Sequence, residues 1–132
     1  MTRRVVIIGN GMAGARLQEE LHRRDPAGEH VTSVVIGDEP GSAYNRILMS
    51  NVVAGRITPA DTRLRADNWY SERNLQTHTG VRVERVDRDT KTVHCDDGTV
   101  HGTTVWCSPP AAVLSSRRST VRSRNRVARS KV

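Results

Sequence analysis

Six residues near the amino end, Gly9-Asn10-Gly11-Met12-Ala13-Gly14, carry the spacing G-x-G-x-x-G, whose chemistry is the holding of phosphate. Gly9 permits a tight turn, Gly11 lets the backbone approach a pyrophosphate with no Cβ in the way, and Gly14 lets a helix lie close on a strand. The phosphates would rest on free backbone amides at the start of that helix, Met12 and Ala13 among them, where the helix dipole favours an anion. Asp38 stands 24 residues beyond Gly14, where a carboxylate can accept hydrogen bonds from a ribose diol. Its neighbour Glu39 is the alternative acid. Asp38 is preferred because the ribose-binding acid lies directly at the carboxyl end of the strand. The motif on these residues is that of a dinucleotide site; the competing reading is glycines that serve helix–strand packing alone.

The elements needed to position those groups can be read on either side of them. Val5–Ile8 is an unbroken β-branched run, as in a central strand buried on both faces. Met12–Arg24 reads as a helix with Met12, Ala13, Leu17 and Leu21 as its apolar stripe and Arg16, Gln18, Glu19 and Glu20 toward solvent. Asp25-Pro26-Ala27-Gly28 stops it, and Val31–Ile36 is a second strand. Strand, glycine turn, helix and strand make a βαβ unit. Farther on, a short helix is expected near Arg46–Ala54, and Thr58-Pro59-Ala60-Asp61 has the form of a capping box. Asp67 is expected to cap a turn through Trp69 and Tyr70. Val81, Val83 and Val86 mark a strand, Lys91–Cys95 another, and Asp96-Asp97-Gly98 a hairpin turn before Thr99-Val100-His101.

With 132 residues the chain has room for one domain and not for a two-domain oxidoreductase. Its net charge of +7 is unevenly placed: residues 1–102 balance 14 basic against 14 acidic side chains, and residues 103–132 hold seven basic side chains and no acid. The basicity therefore belongs to the tail, whose Ser- and Arg-rich composition from Ser115 onward predicts disorder. Cys95 and Cys107 are too far apart for a C-x-x-C pair, and Cys95 is expected to be a small packed residue in a strand. The five histidines show no metal-ligand spacing, so no metal is expected. No apolar run approaches the ~20 residues of a membrane span, and no signal peptide is expected. A reduced, cytoplasmic setting without membrane contact follows as the expectation. Two Trp, two Tyr and no Phe leave little with which to stack bases, so no nucleic-acid partner is expected.

Residues 1–101 resemble the amino-terminal part of the FAD-dependent pyridine-nucleotide oxidoreductases, above all the large subunit of assimilatory NAD(P)H nitrite reductase and its rubredoxin- and ferredoxin-reductase-like relatives. The resemblance is carried by Val6–Gly14 and by Glu39-Pro40 ahead of Ala43-Tyr44-Asn45-Arg46-Ile47-Leu48-Met49-Ser50. The second segment is the more specific, and it implies FAD rather than NAD as the cofactor. By resemblance, the Gly9–Gly14 turn holds the FAD pyrophosphate and Asp38 the adenosine ribose, with Glu39 beside it in the cofactor site. Asn45 and Arg46 lie by the pyrophosphate or flavin, and Val83 faces the adenine through its backbone. The full-length relatives also imply an NAD(P)H domain, sirohaem and an iron–sulfur cluster, none of which 132 residues could house. The expected fold class is α/β: an incomplete Rossmann-like FAD-binding domain, a βαβ unit plus a small β-hairpin region, over residues 1–102, with a disordered basic tail over residues 103–132.

At the hairpin the pattern breaks. The resemblance calls for a strand like Y-D-x-L-V-L-A-T-G-S-x-P, and residues 103–114 read TTVWCSPPAAVL instead. Taking each residue's first two codon bases behind the preceding wobble base permits Y-D-R-L-V-L-A-T-G-S-R-P. Residues 115–121 continue as V-V-P-P-V-D-G. Trp106, with its single codon, forces one of these positions to valine. A frame slip after about Gly102 is therefore expected, from a gene lesion or a reading error, leaving the central strand missing and the fragment catalytically inactive. It accounts for the arginines as GC-rich DNA read out of frame. The alternative is a small basic nucleic-acid-binding protein whose arm, Arg117–Lys131, contacts phosphates. Sequencing the coding DNA from Asp96 onward decides: the slip requires each of those wobble bases, and any other base there rules it out.

Overall fold

The computed structural model describes residues 2–107. Strand β1, Arg3–Ile8, buries Val6, Ile7 and Ile8, as a β-branched run without polar alternation requires. Strand β2, Val31–Ile36, pairs with it in parallel, Val6 opposite Val34 and Ile8 opposite Ile36. Two three-residue strands, β3 (Gln76–His78) and β7 (Val105–Cys107), extend the sheet on either side, giving the order β3-β2-β1-β7, all parallel. A separate antiparallel sheet is built from β4 (Val83–Asp87), β5 (Thr92–Cys95) and β6 (Val100–Gly102).

Alternation of side chains across the parallel sheet divides the core into two layers. Val6, Ile8, Val34 and Ile36 pack against Val83, Val93 and Cys95 of the antiparallel sheet, with Trp106 at the margin. Ile7 turns to the other face, toward helix α1, Met12–Arg24. Both faces are covered, as a parallel sheet demands.

Helix α1 has the expected bounds and a different buried face. Gly14, Ala15 and Gln18 are buried, while Met12 is 36% exposed and Ala13 lies in solvent. Gly14 can face inward because it has no side chain to meet Gly9, which the first turn of the helix approaches closely. Gln18, expected in solvent, is only 1% exposed, and its Nε2 donates to the Gln76 carbonyl at 3.0 Å, tying α1 to β3. The helix ends at Asp25, whose carboxylate accepts from the backbone N–H groups of Glu29, His30 and Val31 at 3.2, 2.7 and 2.8 Å.

The segment between β2 and β3 is made of short pieces. A 3-10 turn at Arg46–Leu48 runs into α2 (Met49–Val53), where a single helix was expected. Thr58 and Asp61 close the expected capping box on a 3-10 turn, Pro59–Thr62. Asp67 does not cap α3 (Asn68–Ser71); its carboxylate accepts instead from Ser42 and Arg63, at 2.9 and 2.7 Å. Glu19 of α1 accepts two hydrogen bonds from Arg65, at 2.9 and 3.1 Å, and the guanidinium carries on over the Trp69 ring.

One expectation about the domain boundary is corrected. The sequence alone puts residues 103–107 in the disordered tail and leaves the central strand missing. Val105–Cys107 instead pairs with Val5–Ile7, and Thr104 donates its amide to the Arg4 carbonyl at 2.9 Å. Trp106 explains the difference: a large apolar side chain that packs on the core keeps the backbone on the β1 edge. The disorder expected for residues 108–132 lies outside the described residues. Truncating Ile36, which is 1% exposed, to alanine will cost about 2–5 kcal/mol in denaturant unfolding. The Val31, His30 and Glu29 amides hold the Asp25 carboxyl below its usual 3.8. A depressed carboxylate stabilises the fold above its unfolded value and loses that contribution as pH falls below it. Stability will therefore decline below pH 3.8, and Asp25→Asn will remove part of that slope in acid titrations followed by circular dichroism.

Candidate functional site

The carboxyl ends of β1 and β2 open onto a cleft of about 350 Å³. Of the residues singled out from the sequence, Gly9, Gly11, Met12, Ala13, Gly14, Asp38, Glu39, Arg46 and Val83 all line it. Asn45 does not. Its Oδ1 accepts from the Ile47 amide at 3.0 Å and its own amide donates to the Thr62 carbonyl at 2.7 Å, so its task is to start the Arg46–Leu48 turn.

The glycines divide the work of shaping the cleft. Gly9 takes φ +113° and donates its amide to the Ile36 carbonyl at 2.7 Å, which pins the turn to the end of β2. A Cβ on Gly14 would stand 2.1 Å from the Gly9 carbonyl oxygen, so only glycine permits this approach of helix to strand. Gly11 is the reverse case: a Cβ there would meet nothing within 4 Å, and its φ of −85° is open to any residue. Packing within the protein does not call for glycine at 11, where a side chain would point into open space. Gly11 caps α1 without a side-chain hydrogen bond, and the first turn contains no acid. The leading amides and the positive end of the dipole thus face the cleft unneutralised. That is a cradle into which a pyrophosphate fits.

Two acids stand at the rim, each drawn to an arginine. Asp38 Oδ2 accepts from Arg82 Nη2 at 3.3 Å. Glu39 accepts from Arg46 and, at 2.8 Å, from the Tyr44 hydroxyl, over whose ring the Arg46 guanidinium lies at 5.6 Å. The Glu39 hydrogen bond raises the Tyr44 pKa above 10.0. The sequence reading missed Gly37, Val81 and Arg82. Gly37 was legible only in three dimensions, since a Cβ there would come 2.6 Å from the Asn10 Cβ. Its carbonyl accepts from the Val81 amide at 2.9 Å, which brings Val81–Val83 to the cleft. Burial raises the Cys95 thiol pKa, in keeping with a packed residue, and Cys107 is likewise a free thiol. Among the described residues, no group of three or more His, Cys, Asp or Glu could hold a metal ion, and no helix is long and apolar enough to cross a membrane.

The cleft thus joins a glycine turn on a helix N-terminus without a capping side chain to two acids just past the end of β2. The family model described as pyridine nucleotide-disulphide oxidoreductase matches residues 3–107. The chain belongs to this family. Among curated oxidoreductases it is 39% identical over 94 residues to a nitrite reductase [NAD(P)H] of Bacillus subtilis (strain 168), covering 71% of this chain and 11% of that protein. It is 38% identical to the assimilatory nitrate reductase electron transfer subunit of the same organism, covering 70% of this chain and 12% of that one. Among solved structures, that of a covalent putidaredoxin reductase–putidaredoxin complex superposes with a TM-score of 0.68 at 25% identity, over 80% of this chain and 25% of the other. The chain thus spans about a ninth of the length of these two curated relatives. The expected family and α/β fold class are borne out, and membership supports the expected FAD site. The two glycines will separate in thermal unfolding: Gly14→Ala will lose about 1–3 kcal/mol through the clash with Gly9, and Gly11→Ala will lose none.

Proposed function

We propose that the chain holds the ADP half of FAD in this cleft, as the cofactor-binding amino-terminal part of an NAD(P)H-dependent flavoprotein oxidoreductase. The observation that carries it is Gly11, whose lack of a Cβ no contact within the protein explains and a bound pyrophosphate would. In this reading the amides of Gly11, Met12, Ala13 and Gly14 bind the pyrophosphate. The Asp38 carboxylate accepts from the adenosine ribose, Glu39 sets Arg46 toward the phosphates or the flavin, and the Val83 backbone faces the adenine. Val81 and Val83, on the antiparallel side, exclude water from the base. Bound there, FAD supplies a two-electron carrier between NAD(P)H and an acceptor.

Similarity to the nitrite reductase of Bacillus subtilis favours a nitrite reductase large subunit as the whole protein, in a cytoplasmic setting. The chain by itself is proposed to bind cofactor without turning over nitrite. Calorimetry of the full 132-residue chain with FAD, ADP and FMN tests the site. FAD and ADP will bind and FMN, which lacks the adenylate, will not. Gly11→Val will weaken FAD by at least about ten-fold with no loss of melting temperature. Absence of ADP binding, or a preference for FMN, overturns the proposal.

A further inference from the structure

Arg82 lines the cleft with a backbone tied to the antiparallel sheet and a side chain whose hydrogen bond lies at the rim. Its backbone is fixed by a two-way bond with Asp96, the residue that follows β5: the Arg82 amide donates to Asp96 Oδ1 at 3.0 Å, and the Asp96 amide donates to the Arg82 carbonyl at 2.9 Å. From that anchor the side chain crosses the rim of the cleft to Asp38 Oδ2. Guanidinium and carboxylate are each about half exposed, 48% and 47%, and an ion pair so open to water adds little to stability. Its place in the cleft is what matters here. Asp38 stands on the loop just past β2 beside a second acid, Glu39, and Arg82 Nη2 is its one side-chain partner among the described residues. A carboxylate has more acceptor sites than one N–H fills, so the Arg82 bond leaves Asp38 capacity for hydroxyl donors while holding it over the cleft.

We propose that Arg82 is a positioning residue for adenylate recognition: it orients the Asp38 carboxylate so that the ribose diol is read. This rests on the assignment of the cleft to the ADP half of FAD and adds to it a specificity element supplied by the second sheet. The antiparallel layer then does more than cover the core. Through Asp96 and Arg82 it fixes the acid that the βαβ unit carries.

The test compares ADP with 2′,3′-dideoxy-ADP by calorimetry on the full chain, on Arg82→Ala and on Arg82→Lys, with thermal unfolding of each. The parent chain will favour ADP by about five-fold or more, the worth of a hydroxyl–carboxylate hydrogen bond. Arg82→Ala will shrink that preference to about two-fold or less with its melting temperature unchanged, and Arg82→Lys will keep most of it. If Arg82→Ala keeps the full preference for the diol, this inference fails while the cleft assignment stands. It fails also if the parent chain does not distinguish the two ligands, or if both variants lose cooperative unfolding, which would make Arg82 a structural residue. If the parent chain binds neither ADP nor FAD, the cleft assignment fails and this inference with it.

Discussion

Helix α1 and strand β1 approach each other so closely that the Gly9 carbonyl oxygen occupies the space where a side chain on Gly14 would begin. Much of the rest follows from that distance. A first turn this near the end of β1 leaves no room for a side chain at 14, and with Gly14 and Ala15 turned inward Met12 and Ala13 turn out. The same approach aims the first turn of α1 at the carboxyl ends of β1 and β2, where the cleft opens. Loss of conformational freedom at three glycines is an entropic cost, and the helix–strand packing offsets it.

The antiparallel sheet serves the site by way of the core. Val83, Val93 and Cys95 cover the face of β1 and β2 that α1 leaves bare, and the strand carrying Val83 begins at the rim of the cleft. Backbone bonds from Gly37 to His78 and Val81 sew the end of β2 to the approach to that strand. The cleft is therefore built by two layers, one presenting the free amides of the α1 N-terminus and the other, through Val81 and Val83, an apolar wall. Strand β7 adds a short fourth member to the parallel sheet, and Trp106 closes the margin of the core between the layers.

Electrostatics at the rim are balanced locally. Asp38 meets Arg82 and Glu39 meets Arg46, which agrees with the zero net charge of residues 1–102. The unneutralised polarity in the cleft is that of the α1 N-terminus, with neither an acid nor a capping side chain. Such an arrangement suits an anion held by backbone amides.

The βαβ unit was legible in the sequence because its signals are local. A β-branched run, a glycine spacing and a proline stop each act within a few residues, and α1 and β2 fall within the expected bounds. Of the ten candidate site residues read from the motif and the family likeness, nine line the cleft. What the sequence could not decide was anything that depends on a partner distant along the chain. The buried face of α1 was set by its closeness to β1, and Gln18 went inward because the Gln76 carbonyl, 58 residues away, accepts from it. Strands β3 and β7 are three residues each, too short to show a period, and exist because neighbouring edges hold them. Gly37 needed the Asn10 Cβ beside it, and Arg82 needed Asp38, 44 residues earlier, before either had a meaning. Local stereochemistry is written in consecutive residues, whereas contact between distant segments is fixed only when the chain has closed around its core.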